Sequence, residues 1–203
     1  MKDYTRKMSD AQKEDIQKGV ELILSALTGK AKEDWPAGIV DTPKRVVGMY
    51  EEVFQGMAYT NEEIAQLFDK CFEEPGVQDL VLVKDIDAFS YCEHHMALMY
   101  NMKISVAYIP EGRVIGLSKI PRIVDLVTKR LQLQERIGKD IADILEMILH
   151  TNNIMVVISG EHSCMTARGI RKPGVVTKTA VVRGLFDSNP KLRSEVYDLL
   201  AQR

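Results

Sequence analysis

Apolar positions in the first third of the chain recur at helical spacing. Ser9 is placed to cap a helix, and Gln12 three residues on completes a capping box. Ile16, Val20, Ile23, Leu24 and Leu27 then form a stripe, and Gly29 is the expected stop. Thr42 and Pro43 open a second helix, because proline at the first helical position gives up no hydrogen bond. Its stripe is Val46, Val47, Tyr50, Val53 and Phe54, and Gly56 is expected to end it. Thr60 and Glu63 make another capping box ahead of Ile64, Leu67 and Phe68.

At "EEPG", Glu73 to Gly76, the pattern changes period. "LVLVKDIDAFS" (Leu80–Ser90) is rich in β-formers, and "KISVAYIP" (Lys103–Pro110) alternates before a proline turn. Two helices follow. One starts near Ser118, with Ile123, Val124 and Val127 inward. The other starts near Gln134, with Ile137, Ile141, Ile144, Leu145 and Ile148 inward. Asn152–Asn153 is a turn, "IMVVIS" a buried strand and "VVTKTAVVRG" a last strand, and a short helix from Pro190 closes the chain. The pattern predicts an α+β chain, with a helical region over 1–76 and a sheet with two long helices over 77–203, together one compact subunit. Four strands leave one sheet face and the edges in need of cover, for which oligomerisation is the expected source.

Composition narrows the class. The 203 residues are 45% apolar, enough for a real core, and the net charge of −2 gives no electrostatic footprint for nucleic acid. The opening "MKDYTRKMSD" lacks the apolar stretch of a signal peptide, and Ile154–Ile158 is far too short to span a bilayer. A soluble, cytoplasmic protein with no membrane partner is expected.

Cysteine and histidine are scarce and clustered. Cys92, His94 and His95 fall in "CEHH", and His162 and Cys164 in "HSC". Three cysteines without a secretion signal argue against a disulfide framework. Cys92 and His95, three apart on a tight turn, can converge on one metal ion, and a neighbouring strand can bring Cys164 to them. Two thiolates and an imidazole suit zinc, and three protein ligands leave a position for water. His94 and His162 then stand beside the ligands as candidates for proton transfer. Other readings remain open: a Cys92–Cys164 disulfide, or a closed structural site with Cys71 as fourth ligand. Cys71 otherwise reads as a small apolar residue on a helix face, and His150 as a structural residue at a helix end.

Lys119 and Arg122 lie at the start of the helix opened by Ser118, where the helix terminus and two cations together favour phosphate. Arg168 follows Cys164 by four residues, and Arg45 sits in the first turn of the second helix. Each alone fits an ordinary solvated charge. Gln134 and Glu135 open the second long helix. Glu135 is either a favourable first-turn acid or an acceptor for a guanine-like pair of N–H groups.

Taken together these segments resemble GTP cyclohydrolase I. The resemblance rests on "DTPKRVVGMY" (Asp41–Tyr50), "FSYCEHHM" (Phe89–Met96), "VAYIP" (Val106–Pro110), "VIGLSKIPRIVDL" (Val114–Leu126), "LQLQERI" (Leu131–Ile137), "TNN" (Thr151–Asn153) and "HSCMTARGI" (His162–Ile170), in that order. It implies the tunnelling fold, a ββααββ unit preceded here by the helical region, assembled as a homo-oligomer, usually a decamer of two pentamers. It implies hydrolytic opening of GTP at C8, release of formate and reclosure to 7,8-dihydroneopterin triphosphate, the entry to folate and other pterins. Carried over by residue, Cys92, His95 and Cys164 would be the zinc ligands. His162 would be the main acid/base group, assisted by His94. Glu135, with Gln134 nearby, would hold the guanine edge, and Ser118 would act near the ribose. Lys119, Arg122, Arg168 and Arg45 would hold the triphosphate, and the pockets would use residues of neighbouring subunits.

Two features depart from that pattern. "MALMYNMK" (Met96–Lys103) has no glycine or proline for the hairpin, so Asn101 is expected to supply the left-handed conformation. Glu161 precedes His162, and would raise the imidazole pKa if it faced the site. The alternatives are a tunnelling-fold enzyme acting on another pterin or purine, and an inactive zinc-stabilised scaffold. Intact Glu135 and the four cations speak for a guanine triphosphate. His94, His162 and Ser118, all present, speak against loss of activity.

Overall fold

The computed structural model describes residues 6–202, so Met1–Thr5 of the charged opening segment lie outside the described residues. The chain divides into two compact units, Met1–Ala58 and Tyr59–Arg203.

The first unit is helical. In α1 (Asp10–Thr28) the Ser9–Gln12 capping box forms in both directions, and Gly29 ends the helix in the left-handed conformation. No residue of α1 is buried: Ile23 and Leu27 of its apolar stripe remain 59% and 78% exposed. The second helix, α2, spans Thr42–Val53 with Pro43 in its first turn. It stops at Phe54, before the expected Gly56, because residues Gln55–Ala58 tighten into a 3-10 turn.

The second unit begins with α3 (Asn61–Phe68), capped by Thr60 and Glu63 as predicted. Its main sheet has five strands in the order β5-β2-β3-β6-β7. These are β2 (Val81–Cys92), β3 (Ala97–Tyr108), β5 (Leu131–Gln132), β6 (Ile154–His162) and β7 (Thr177–Val182). All neighbours are antiparallel except the short β5, which runs parallel to β2. A two-stranded ribbon pairs β1 (Cys71–Glu73) with β4 (Arg113–Ile115). Cys71 therefore lies on a strand and not on a helix face.

Two helices pack on one face of the sheet. They are α4 (Lys119–Thr128) and α5 (Gln134–Leu149). Ile123, Val124 and Val127 of α4, and Ile137, Ile141, Ile144, Leu145 and Ile148 of α5, are all buried as their spacing predicts. Met102, Ile104 and Val106 of β3 and Ile154, Val156 and Ile158 of β6 are buried too, at the alternate positions that share one face of a strand. Part of the opposite face is covered from within the chain. Phe186 of α7 (Leu185–Ser188) and Val196 of α8 (Pro190–Ala201) cluster with Ala107 and Met155. That face is thus less dependent on other subunits than four bare strands would be. The mixed α+β unit is consistent with the tunnelling fold, and the helical region precedes it as expected.

A mostly buried ionic network ties α3, β5 and α5 together. The Arg130 guanidinium donates to Asn61 Oδ1 at 2.8 Å and the Tyr59 carbonyl at 3.1 Å, and pairs with Asp140 at 3.3 Å. Asp140 also accepts from Gln132 at 2.9 Å and Asn61 at 3.2 Å. Removing one member strands the other in a poorly solvated place. Asp140→Ala is expected to cost about 3–5 kcal/mol of stability, read from urea unfolding. A loss below about 1 kcal/mol would mean that the pair behaves as a solvated surface bridge.

Candidate active site

The site grows out of the ends of β2 and β6. Cys92 is the last residue of β2, held between Ala97 of β3 and Gln132 of β5. The chain then turns: His95 N–H donates to the Cys92 carbonyl at 3.3 Å, and Met96 takes φ 50°. Asn101 is also left-handed, at φ 49°, but it sits in an irregularity of β3 and not in the hairpin turn. The turn brings Cys92 and His95 to one side. Across the sheet Met99 pairs with His162 at the end of β6, and α6 (Ser163–Thr166) follows at once and carries Cys164.

The donor atoms of Cys92, His95 and Cys164 lie within 4.8 Å of one another. Tetrahedral zinc at about 2.3 Å from sulfur and 2.0–2.1 Å from nitrogen would set its donors roughly 3.6–3.8 Å apart. A small contraction brings this set to that geometry, and three donors leave one position open. All three cysteines are free thiols, so Cys92 and Cys164 do not form the alternative disulfide. Cys71 is outside the group: its thiol donates to the Ile148 carbonyl at 3.7 Å, and burial pushes its pKa up. Burial, and next the neighbouring Cys92, also raise the Cys164 thiol, so capture of a metal must displace protons.

The remaining candidates fall into three groups. His94 Nδ1 lies 3.8 Å from Cys92 Sγ, and the Arg168 guanidinium lies 3.0 Å from His95 Nε2, so both flank the cluster. His162 Nε2 meets Gln134 Oε1 at 2.8 Å. Burial lowers the His162 pKa, while Glu135 opposes that shift. Glu161 takes no part in this, because its carboxylate accepts from Asn101 at 2.8 Å and from the Tyr100 hydroxyl. The third group gathers at the start of α4. Ser118 is exposed and makes no capping bond there, Arg122 is exposed, and Lys119 donates to the carbonyls of Phe68 and Lys70. Arg45 belongs to the first unit, where it faces Asp41 at 3.9 Å with both side chains exposed. His150 caps α5 in the left-handed conformation against Arg113, a structural setting.

One contact escaped the sequence reading. Arg136, in the first turn of α5, grips Glu93 through two bonds of 2.6 and 3.0 Å. Glu93 lies in "FSYCEHHM" and Arg136 in "LQLQERI", two segments that the pairing of β2 with β5 brings together. The bond holds the Glu93–Met96 turn against the helix that carries Gln134 and Glu135, and it lowers the Glu93 pKa. If the cluster takes up added zinc, Arg136→Ala is expected to weaken that uptake by about 10-fold, the lower end for loss of a group that orients ligands. Chelator competition measures it, and unchanged affinity would reduce the pair to a surface ion pair.

Comparison with known proteins bears on the same segments. A profile of the GTP cyclohydrolase I family matches residues 16–201. The chain belongs to the GTP cyclohydrolase I family. It is 52% identical to GTP cyclohydrolase 1 of Clostridium acetobutylicum over 188 residues, covering 91% of this chain and 95% of the relative. It is 51% identical to the Clostridium beijerinckii protein of that name over 189 residues, covering 91% and 96%. It is thus an enzyme of the GTP cyclohydrolase I family, whose pathway is folate and pterin biosynthesis. Among the described residues, no helix is long and apolar enough to cross a membrane.

Proposed function

We propose that this enzyme opens the imidazole ring of GTP at C8 by zinc-dependent hydrolysis, releases formate, and recloses the product to 7,8-dihydroneopterin triphosphate. The observation that carries this reading is the convergence of Cys92, His95 and Cys164 at the strand ends that also hold His162. Those three residues hold the metal. When bound, zinc supplies Lewis acidity that brings the ionisation of water toward neutral pH.

The chain's own groups do the rest. His162, whose burial favours the neutral ring, takes and returns the proton at the opening ring, and His94 at the rim of the cluster is the second carrier. Glu135 is exposed at the start of α5 and accepts from the guanine N–H pair. Gln134, its neighbour, is buried and faces His162 instead of solvent. Arg168, Arg122, Lys119 and Arg45 supply positive charge for the triphosphate, and the exposed Ser118 hydroxyl, which makes no capping bond, serves the ribose side during rearrangement.

The working form is a homo-oligomer with shared sites, a decamer of two pentamers. Phe89, Leu117 and Ile170, each within a few residues of a site motif, are 60% exposed or more, which is the state expected of residues that another subunit covers. The test is incubation of the purified, zinc-loaded protein with GTP, with assays for formate and for the dihydropterin chromophore. Both products together are expected. Formate alone would leave hydrolysis in place and remove the rearrangement. Neither product from a metal-replete oligomer would overturn the reading.

A further inference from the structure

Gln134 opens α5 beside Glu135, yet it is 1% exposed and points into the protein. Its amide nitrogen lies 3.1 Å from the Thr177 carbonyl, 3.4 Å from the Ile158 carbonyl and 3.3 Å from Thr179 Oγ1. Its amide oxygen lies 2.8 Å from His162 Nε2. Two of the nitrogen's partners are backbone carbonyls, which can only accept. The NH2 group must therefore face them, since the flipped amide would set three oxygens together in a buried place. With the amide oxygen facing the imidazole, the ring nitrogen opposite has to donate.

We infer that Gln134 is a positioning residue that holds His162 as the Nε2–H tautomer, leaving Nδ1 as the nitrogen that accepts the proton in the reaction. The inference rests on the acid/base role proposed for His162, and it moves Gln134 from the guanine edge to the machinery behind the base. A second feature shows that the amide has a built place. A Cβ added at Gly160, two residues before His162 on β6, would come to 2.9 Å from Met102 Cγ and 3.3 Å from Gln134 Oε1. Only glycine leaves the amide oxygen undisturbed. The imidazole is thus fixed by one bond to an amide whose two N–H donors are shared among three oxygens. A residue that sets which histidine nitrogen carries the proton governs catalysis without touching substrate, as the triad aspartate of serine proteases does.

The first test is solid-state nitrogen NMR of the full-length, zinc-loaded wild-type protein labelled in histidine. The chain has four histidines, so the His162 signals are assigned by their loss in His162→Gln. A proton on Nε2 and none on Nδ1 is expected; the reverse overturns the inference whatever the variants do. Kinetics give the second test. Gln134→Met keeps the length of the side chain but removes its polar atoms, and is expected to lower kcat by about 100-fold with the KM for GTP unchanged. A raised KM with kcat retained would return Gln134 to guanine binding. Gly160→Ala keeps both side chains and displaces the amide oxygen, so the same fall in kcat and a mixture of His162 tautomers are expected. A wild-type protein with the Nε2–H tautomer but no product from GTP would overturn the functional reading alone. Normal turnover with the proton on Nδ1 would overturn this inference alone.

Discussion

Replacing His162 by alanine lowers turnover by about 10²–10⁴-fold, the range typical for loss of a general acid or base. Metal content and assembly state are expected to match those of the wild type. The expectation follows from the division of labour at the strand ends. Cys92, His95 and Cys164 converge and His162 does not join them, because its Nε2 is engaged by Gln134 at 2.8 Å. The ring is half-buried at the end of β6, and burial holds its pKa below the ordinary histidine value. Burial thus favours the neutral ring that the proposed proton role needs, while the nearby Glu135 favours the imidazolium. Alanine removes the proposed proton carrier but none of the three proposed metal ligands. Metal content by elemental analysis, mass by ultracentrifugation and turnover of GTP give three independent readings. Turnover at the wild-type rate would remove His162 from the proton role, and loss of zinc would make it a ligand.

The contrast with Gln134 shows what a sequence can and cannot carry. Gln134 and Glu135 are adjacent, and adjacency suggests a shared task at the guanine edge. Successive residues of a helix, however, point about 100° apart. One is sealed under β6 and β7 while the other faces out. The sequence holds no sign of which is which, because Leu133, just before them, gives no side-chain cap to fix the helix's first turn. The Cys92–His95–Cys164 cluster behaved differently. Cys92 and His95 share a turn, so their spacing in the chain is nearly their spacing in space. Cys164 joins them only through the β2-β3-β6 pairing, which the motif order suggests and the ladder supplies.

The same distinction runs through the fold. Capping boxes and helical stripes are local, and Ser9, Thr60, α4 and α5 were legible from them. The two-residue β5 has no periodicity to read, and the strand at Cys71 exists only because β4 pairs with it. Asn101 was expected to make the β2–β3 hairpin. It does adopt the left-handed conformation, but the hairpin turn uses Met96, and Asn101 accommodates an extra residue within β3 while bonding Glu161. Composition identified a residue able to take positive φ but not which of two left-handed positions it would fill. The stripe of α1 was legible as a pattern, but the depth of its burial was not: Ile16, Val20 and Leu24 are half-buried, while Ile23 and Leu27 stay largely exposed among the described residues.

Cys164→Ser is expected to strip the metal and, with it, the activity. Among the described residues three donors converge at the site, Cys92, His95 and Cys164, so losing one leaves two to hold an ion. A serine hydroxyl stays protonated where a thiol ionises on binding, and its oxygen is a harder donor than borderline-soft zinc prefers. The loss of affinity should exceed the roughly 10–100-fold that follows removal of a group that merely orients a ligand. Chelator competition and elemental analysis measure it directly. Thermal unfolding gives an independent reading, because a ligand at about 100 times its Kd stabilises the fold by about 2.7 kcal/mol, and the variant should no longer gain this when zinc is added. Cys71→Ser is the matched control. Cys71 lies on β1, bonded to the Ile148 carbonyl, and its substitution should leave zinc content unchanged. Full zinc content in Cys164→Ser would remove it from the ligand set. Zinc loss in Cys71→Ser would instead restore the closed, four-ligand structural site and with it the scaffold reading, because a saturated metal has no position left for water.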